Sequence, residues 1–174
     1  LAMRTSLESR TQLSPVLTNA VEDERVRLAL VPILKARPIW MYDFIDYAVV
    51  NSNNPKTVAA LIEESGGWPD GPKYEWLTNK LLSQMVTNYQ FSDFRRHYLT
   101  LKNGRPSLLV SPEISINSLS DRFGIVAWQR LGSGSTGMDH VEGPSKKGAM
   151  HLYAGSGDRQ IVTRKILFLS PESY

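Results

Sequence analysis

Around Asn88 the spacing of apolar residues changes character, and this change limits the available folds more than any other feature of the chain. Before it, apolar residues recur three and four apart: Val26, Leu30, Ile33 and Leu34, then Phe44, Ile45, Ala48 and Val49, then Val58, Leu61 and Ile62, then Leu77, Leu81, Leu82 and Met85. Each set draws one buried stripe along an α-helix. After it, Tyr89-Gln90-Phe91-Ser92-Asp93-Phe94 alternates aromatic and polar residues, as a half-buried strand does. Asn103-Gly104 then stands between residues 97–101 and 106–110, and Asn-Gly is the residue pair of a tight two-residue hairpin turn. Helices followed by strands predict an α+β chain with an antiparallel sheet.

Punctuation residues place the elements. Residues 1–19, rich in Ser and Thr without a sustained period, predict a flexible segment. A first helix is expected from Val21, with Asn19 as N-cap and Glu22, Asp23 and Glu24 where the helix dipole favours anions. Pro32 removes a backbone donor and predicts a kink or restart, and Pro38 ends the helix. A second helix is expected over 40–50. A third starts at Pro55 behind Asn54 and is stopped by Gly66-Gly67. A turn-rich loop over 67–72 leads to a fourth over 74–86. Further strands are expected over 124–131, 149–154 and 160–169, around a Gly- and Ser-rich mobile loop at 132–148. The organisation this predicts is a flexible segment at 1–19, a winged-helix-like region at 20–110 and a β-rich region at 111–174.

Several chemistries lack their residues. With no cysteine there is no disulfide framework, thiol nucleophile or thiolate zinc site. The histidines His97, His140 and His151 form no paired metal-binding spacing, so neither metal nor cofactor is expected. Gly143 and Gly148 have phosphate-loop spacing, but Ala149 and Met150 replace the Lys and Ser/Thr that such a loop needs. Gly132-Ser133-Gly134-Ser135-Thr136-Gly137 matches a dinucleotide-binding glycine pattern, but loop and strand are expected after it instead of a helix. Asp139-His140 has no selected serine, and a triad requires convergence in space rather than adjacency. The expectation is therefore a protein without enzymatic activity. No apolar run is long enough to span a membrane, and the start lacks the pattern of a signal peptide.

Charge gives the positive indication. Residues 1–89 carry a net charge of −1 and residues 90–174 a net +4, with an overall pI near 9.2. A phosphate-rich partner suits that balance, although an ordinary solvated surface produces it too. Helices joined by brief turns and followed by a hairpin are the ingredients of a winged helix, which places one helix in the major groove and anchors phosphates with cations. Lys56 would open the third helix, whose other exposed positions, Thr57, Glu63 and Glu64, suit DNA poorly. Arg95, Arg96, Lys102 and Arg105 would line the hairpin as a basic wing, or serve only as edge-strand charge. With Lys73 they make up the candidate nucleic-acid-binding set.

Leu34-Lys35-Ala36-Arg37-Pro38-Ile39-Trp40, Gly71-Pro72 and Tyr89-Gln90-Phe91-Ser92-Asp93-Phe94-Arg95 occur in this order over residues 29–96. In order and rough spacing they resemble the helix-turn-helix region of the A-box-binding subunit of the RNA polymerase III transcription factor TFIIIC. The aromatic, Gly-containing run of that family is replaced here by Tyr74-Glu75-Trp76-Leu77, and residues 102–174 take no part in the likeness. The resemblance implies a nuclear duplex-DNA-binding domain that holds a promoter and works with other subunits of a larger assembly. The motif residues also have a structural reading, with Trp40 as a core anchor and Arg37 paired with Asp93 as a brace, which leaves Arg95 as the one motif residue expected to contact phosphate. Two other classes suit the same composition. One is a viral structural or RNA-binding protein using Tyr89, Phe91, Phe94, Tyr98 and Trp128 among Arg95, Arg96 and Arg130. The other is a protein–protein interaction module.

Overall fold

The protein is described by a computed structural model, which covers residues 7–112, 123–131, 135–142, 148–157, 161 and 163–169. It holds seven helices and two small antiparallel two-stranded sheets among these residues, a mainly helical α+β chain. Two compact units meet in sequence between Lys102 and Asn103.

The first unit contains six helices: α1 (Leu7–Ala20), α2 (Glu24–Lys35), α3 (Met41–Asn51), α4 (Pro55–Glu64), α5 (Pro72–Thr87) and α6 (Phe91–Thr100). The apolar stripes meet in one core, with Leu34, Phe44, Ile45, Leu61, Ile62, Leu77, Leu81, Leu82 and Met85 all buried, although on α2 Ile33 is exposed and Val26 half-buried. Helix α3 packs against α1, α4 and α5, while α4 packs against α2, α5 and α6. Helix α1 occupies the segment that composition alone marks as flexible. The cap of α2 is Asp23 rather than Asn19: its carboxylate accepts from the Arg25 backbone N–H at 2.8 Å. Helix α2 also runs through Pro32.

The largest correction concerns residues 91–110. Residues 91–100, which hold most of the alternating run at 89–94 and of the segment at 97–101, fold as α6, and residues 106–110 fold as α7 (Pro106–Val110), so no hairpin forms at Asn103-Gly104. Two positions explain the difference. Phe94 and Tyr98 lie one helical turn apart, and both are fully buried with stacked rings. Pro106 sits at the first helical position of α7, where its missing N–H costs nothing. No wing therefore forms at residues 97–110, and the winged-helix arrangement expected of the basic residues is not shown.

The second unit contains α7 and strands β1 (Gln129–Arg130), β2 (Gly137–Glu142), β3 (Gly148–Tyr153) and β4 (Thr163–Arg164). Strands β2 and β3 pair with Gly137 opposite Tyr153 and Glu142 opposite Gly148. Strand β2 thus occupies part of the stretch whose composition predicts a mobile loop. Strands β1 and β4 are shorter than expected, and Phe123 to Val126 form a hydrogen-bonded turn instead of extended chain. Leu108, Leu109, Phe123, Val126, Ala127 and Met138 are buried in this unit. The Phe168 backbone N–H donates to the Leu109 carbonyl at 2.7 Å, and the Lys165 ammonium donates to the Ser111 carbonyl at 2.7 Å, fastening the 163–169 segment to α7.

Candidate nucleic-acid interface

Helices α5 and α6 are joined by Asn88, Tyr89 and Gln90 alone. Asn88 caps α5, and Tyr89 enters the left-handed region with φ of 58°. The Tyr89 N–H donates to the Val86 carbonyl at 3.0 Å and the Gln90 N–H to the Met85 carbonyl at 2.8 Å. This pair of bonds is the Schellman ending of a helix, which normally places glycine where Tyr89 stands. The end of α4 shows the usual arrangement, with Gly66 at φ of 93° and the Gly67 N–H donating to the Ile62 carbonyl at 2.9 Å. Gln90 then fixes the turn to the start of α4. Its side-chain oxygen accepts from the Lys56 N–H at 3.0 Å, and its amide donates to Asn54 Oδ1 at 3.0 Å.

Helix α6 has two distinct faces. Phe94, His97 and Tyr98 are buried, while Phe91, Ser92, Arg95, Arg96, Leu99 and Thr100 are exposed. A polar cluster anchors the inner face. Trp68 Nε1–H donates to His97 Nε2 at 3.2 Å, and His97 Nδ1 lies 2.6 Å from Glu63 Oε1. Because Nε2 accepts, the proton of the neutral ring sits on Nδ1 and is donated to the Glu63 carboxylate. Three segments are joined in this way: the end of α4, the loop after it and α6. His97, expected on a strand, is 1% exposed and satisfied on both nitrogens. Glu63 and Glu64, which the sequence offers as acidic surface, are both engaged internally, Glu64 with Arg27 at 3.1 Å.

The candidate cations do not form one cluster. Arg95 stands on the exposed face of α6 and has no ion pair among the described residues. Arg96 stands beside it and pairs with Asp93 at 2.6 Å, which replaces the Arg37–Asp93 brace. Lys56 is exposed at the start of α4, next to the turn that leads into α6. Lys102 lies just past the other end of α6, 3.7 Å from Asp70, with both groups exposed. Lys73 belongs elsewhere. It sits at the far end of the 16-residue α5, about 24 Å from the turn at 1.5 Å per residue. Its ammonium lies 4.5 Å above the Tyr42 ring and 5.1 Å above that of Tyr74. Burial raises the pKa of the Tyr74 phenol, against the opposing pull of Arg37. Arg105 precedes α7 in the second unit.

Among the aromatic candidates, Phe94 and Tyr98 are core residues, while Tyr89 and Phe91 are exposed. Trp40 is buried edge-on to Phe44, in keeping with a structural role. Among the described residues no cluster of His, Asp or Glu could hold a metal, and no helix is long and apolar enough to cross a membrane. Asp139 and His140 are consecutive residues of strand β2. Gly137, the last glycine of the dinucleotide-like pattern, starts a strand rather than a helix, and the first three positions of that pattern lie outside the described residues. No family model, curated protein or solved structure matches the chain. The likeness to the TFIIIC subunit rests on the motifs alone.

Proposed function

We propose that the helical unit binds duplex DNA through the outer face of α6. The observation that carries this reading is the three-residue turn from α5 into a helix whose exposed face carries Arg95 and Arg96. Those are the proportions of a helix-turn-helix, whose second helix enters the major groove. Helix α4 packs against both α5 and α6, and the Glu63–His97–Trp68 cluster sets the face that α6 turns outward. Lys56 flanks the groove-facing end and Lys102 the other, so phosphate contacts are available on both sides of the helix. The resemblance to the A-box-binding subunit of TFIIIC makes an intragenic promoter duplex the first ligand to test. It also gives the setting of the reading, a nuclear multi-subunit assembly.

Fluorescence anisotropy with a labelled duplex and a matched single-stranded RNA, each titrated across salt, tests this reading. Binding should prefer the duplex and weaken with salt at a log–log slope of about −0.9 per phosphate neutralised. Arg95→Ala combined with Arg96→Ala should weaken binding similarly for all sequences and flatten that slope by about one for each phosphate no longer neutralised. A double variant that binds as wild type does would show that α6 is not the docking helix. Preference for the single-stranded RNA would favour the RNA-binding class, and no binding at low salt a protein-interaction module.

A further inference from the structure

Tyr89 is 82% exposed and Phe91 43% exposed, and their rings meet edge to face at 6.2 Å. Two neighbouring aromatic rings in water gain little from each other compared with what either would gain from a covering surface. Tyr89 moreover holds a left-handed conformation that glycine adopts without strain, as Gly66 does at the end of α4. A strained side chain with most of its surface in solvent contributes little to folding, and such residues concentrate at functional sites. The surroundings are cationic. Gln90, between the two rings, holds the start of α4 and places Lys56 at this corner. Arg95 follows Phe91 by four residues, one helical turn along the same exposed face. The acidic residue of α6, Asp93, is engaged by Arg96.

Planar rings flanked by cations are how proteins hold an unpaired base and its phosphates. We infer that Tyr89 and Phe91 form a stacking platform for one unpaired base beside the duplex held by α6. The preferred ligand would then be a duplex carrying a bulged base rather than a perfect duplex. This inference rests on the proposed duplex binding and adds the part of the ligand that the aromatic pair would take.

The test uses the full chain and two labelled DNA duplexes, one fully paired and one carrying a single bulged 2-aminopurine. Wild type should bind the bulged duplex about tenfold more tightly, within what one base–aromatic stack supplies. The 2-aminopurine fluorescence should fall on binding as the base stacks. Tyr89→Gly, at a position where glycine suits the backbone, should abolish the preference and the quenching while leaving affinity for the paired duplex unchanged. Phe91→Ala should likewise abolish the preference and the quenching. If the paired duplex binds and the bulge confers no advantage, or Tyr89→Gly keeps the advantage, the platform is wrong and the proposed function stands. If neither duplex binds, both are overturned.

Discussion

Tyr89 holds a conformation in which its β-carbon crowds the backbone, at a cost of about 1 kcal/mol that glycine avoids. Because the side chain is 82% exposed, its removal sacrifices little burial. Tyr89→Gly should therefore stabilise the protein by about 0.5–1 kcal/mol, read as a rise in urea midpoint at unchanged slope. A destabilised variant would mean that the ring supports the fold, and its place in the turn would then need no ligand to account for it. Asp23 gives a second prediction at this scale. Hydrogen bonds from the Arg25 side chain and backbone depress its pKa. A carboxylate whose pKa is lower folded than unfolded stabilises the fold above the unfolded value, and that stabilisation is lost as pH falls through the folded value. Asp23→Asn should thus lower the melting temperature near neutrality, and the gap from wild type should close in acid below the ordinary carboxylate range. A gap independent of pH would show that the charge contributes nothing.

Helix α6 is held by its inner face, and its polar anchor is open to test. Glu63→Ala would leave the His97 Nδ1–H buried without its acceptor, at a cost of about 1–3 kcal/mol by chemical denaturation. Trp68→Phe removes the donor to Nε2 while keeping most of the ring, and should cost about 1 kcal/mol. Destabilisation in both would confirm a three-membered anchor, whereas no change in either would reduce it to a surface contact. This element also shows where sequence reasoning runs out. The stripes of α3, α4 and α5 were legible because burial imposes a period on every turn of a helix. Helix α6 was not, because Tyr89 and Phe91, two residues apart with polar neighbours, begin a strand-like alternation that hides the helical spacing of Phe91, Phe94 and Tyr98. The alternation breaks at Asp93, and the burial of Phe94 with Tyr98 one turn later follows the helical spacing. Glu63 and His97, 34 residues apart, meet through tertiary packing that no local pattern encodes. Of the candidate site, the sequence showed the presence of Arg95 and Arg96 but not the surface that carries them. The exposure of Tyr89 follows from its place in a helix ending, a position that aromatic–polar alternation disguised as strand.

At the scale of the whole molecule, charge alone does not select a binding surface. Counted over the two units, the first has a net charge of +1 and the second +2. A difference that small cannot steer a polyanion to one unit over long range, particularly at a Debye length near 8 Å in physiological salt. If the protein binds DNA, local arrangement must decide where, and the first unit offers that arrangement in α6 with Lys56 at its head. A chain ending at Lys102 keeps all six helices and the whole of their core. It should melt cooperatively and bind the duplex with the salt slope of the full chain, since every residue of the proposed interface lies within it. Calorimetry checks the first expectation and anisotropy across salt the second. A folded fragment with only a small part of the full chain's affinity, or a slope shallower by about two or more, would move the phosphate contacts to the second unit. Arg105 and the basic residues after it would then carry the binding that α6 is proposed to perform.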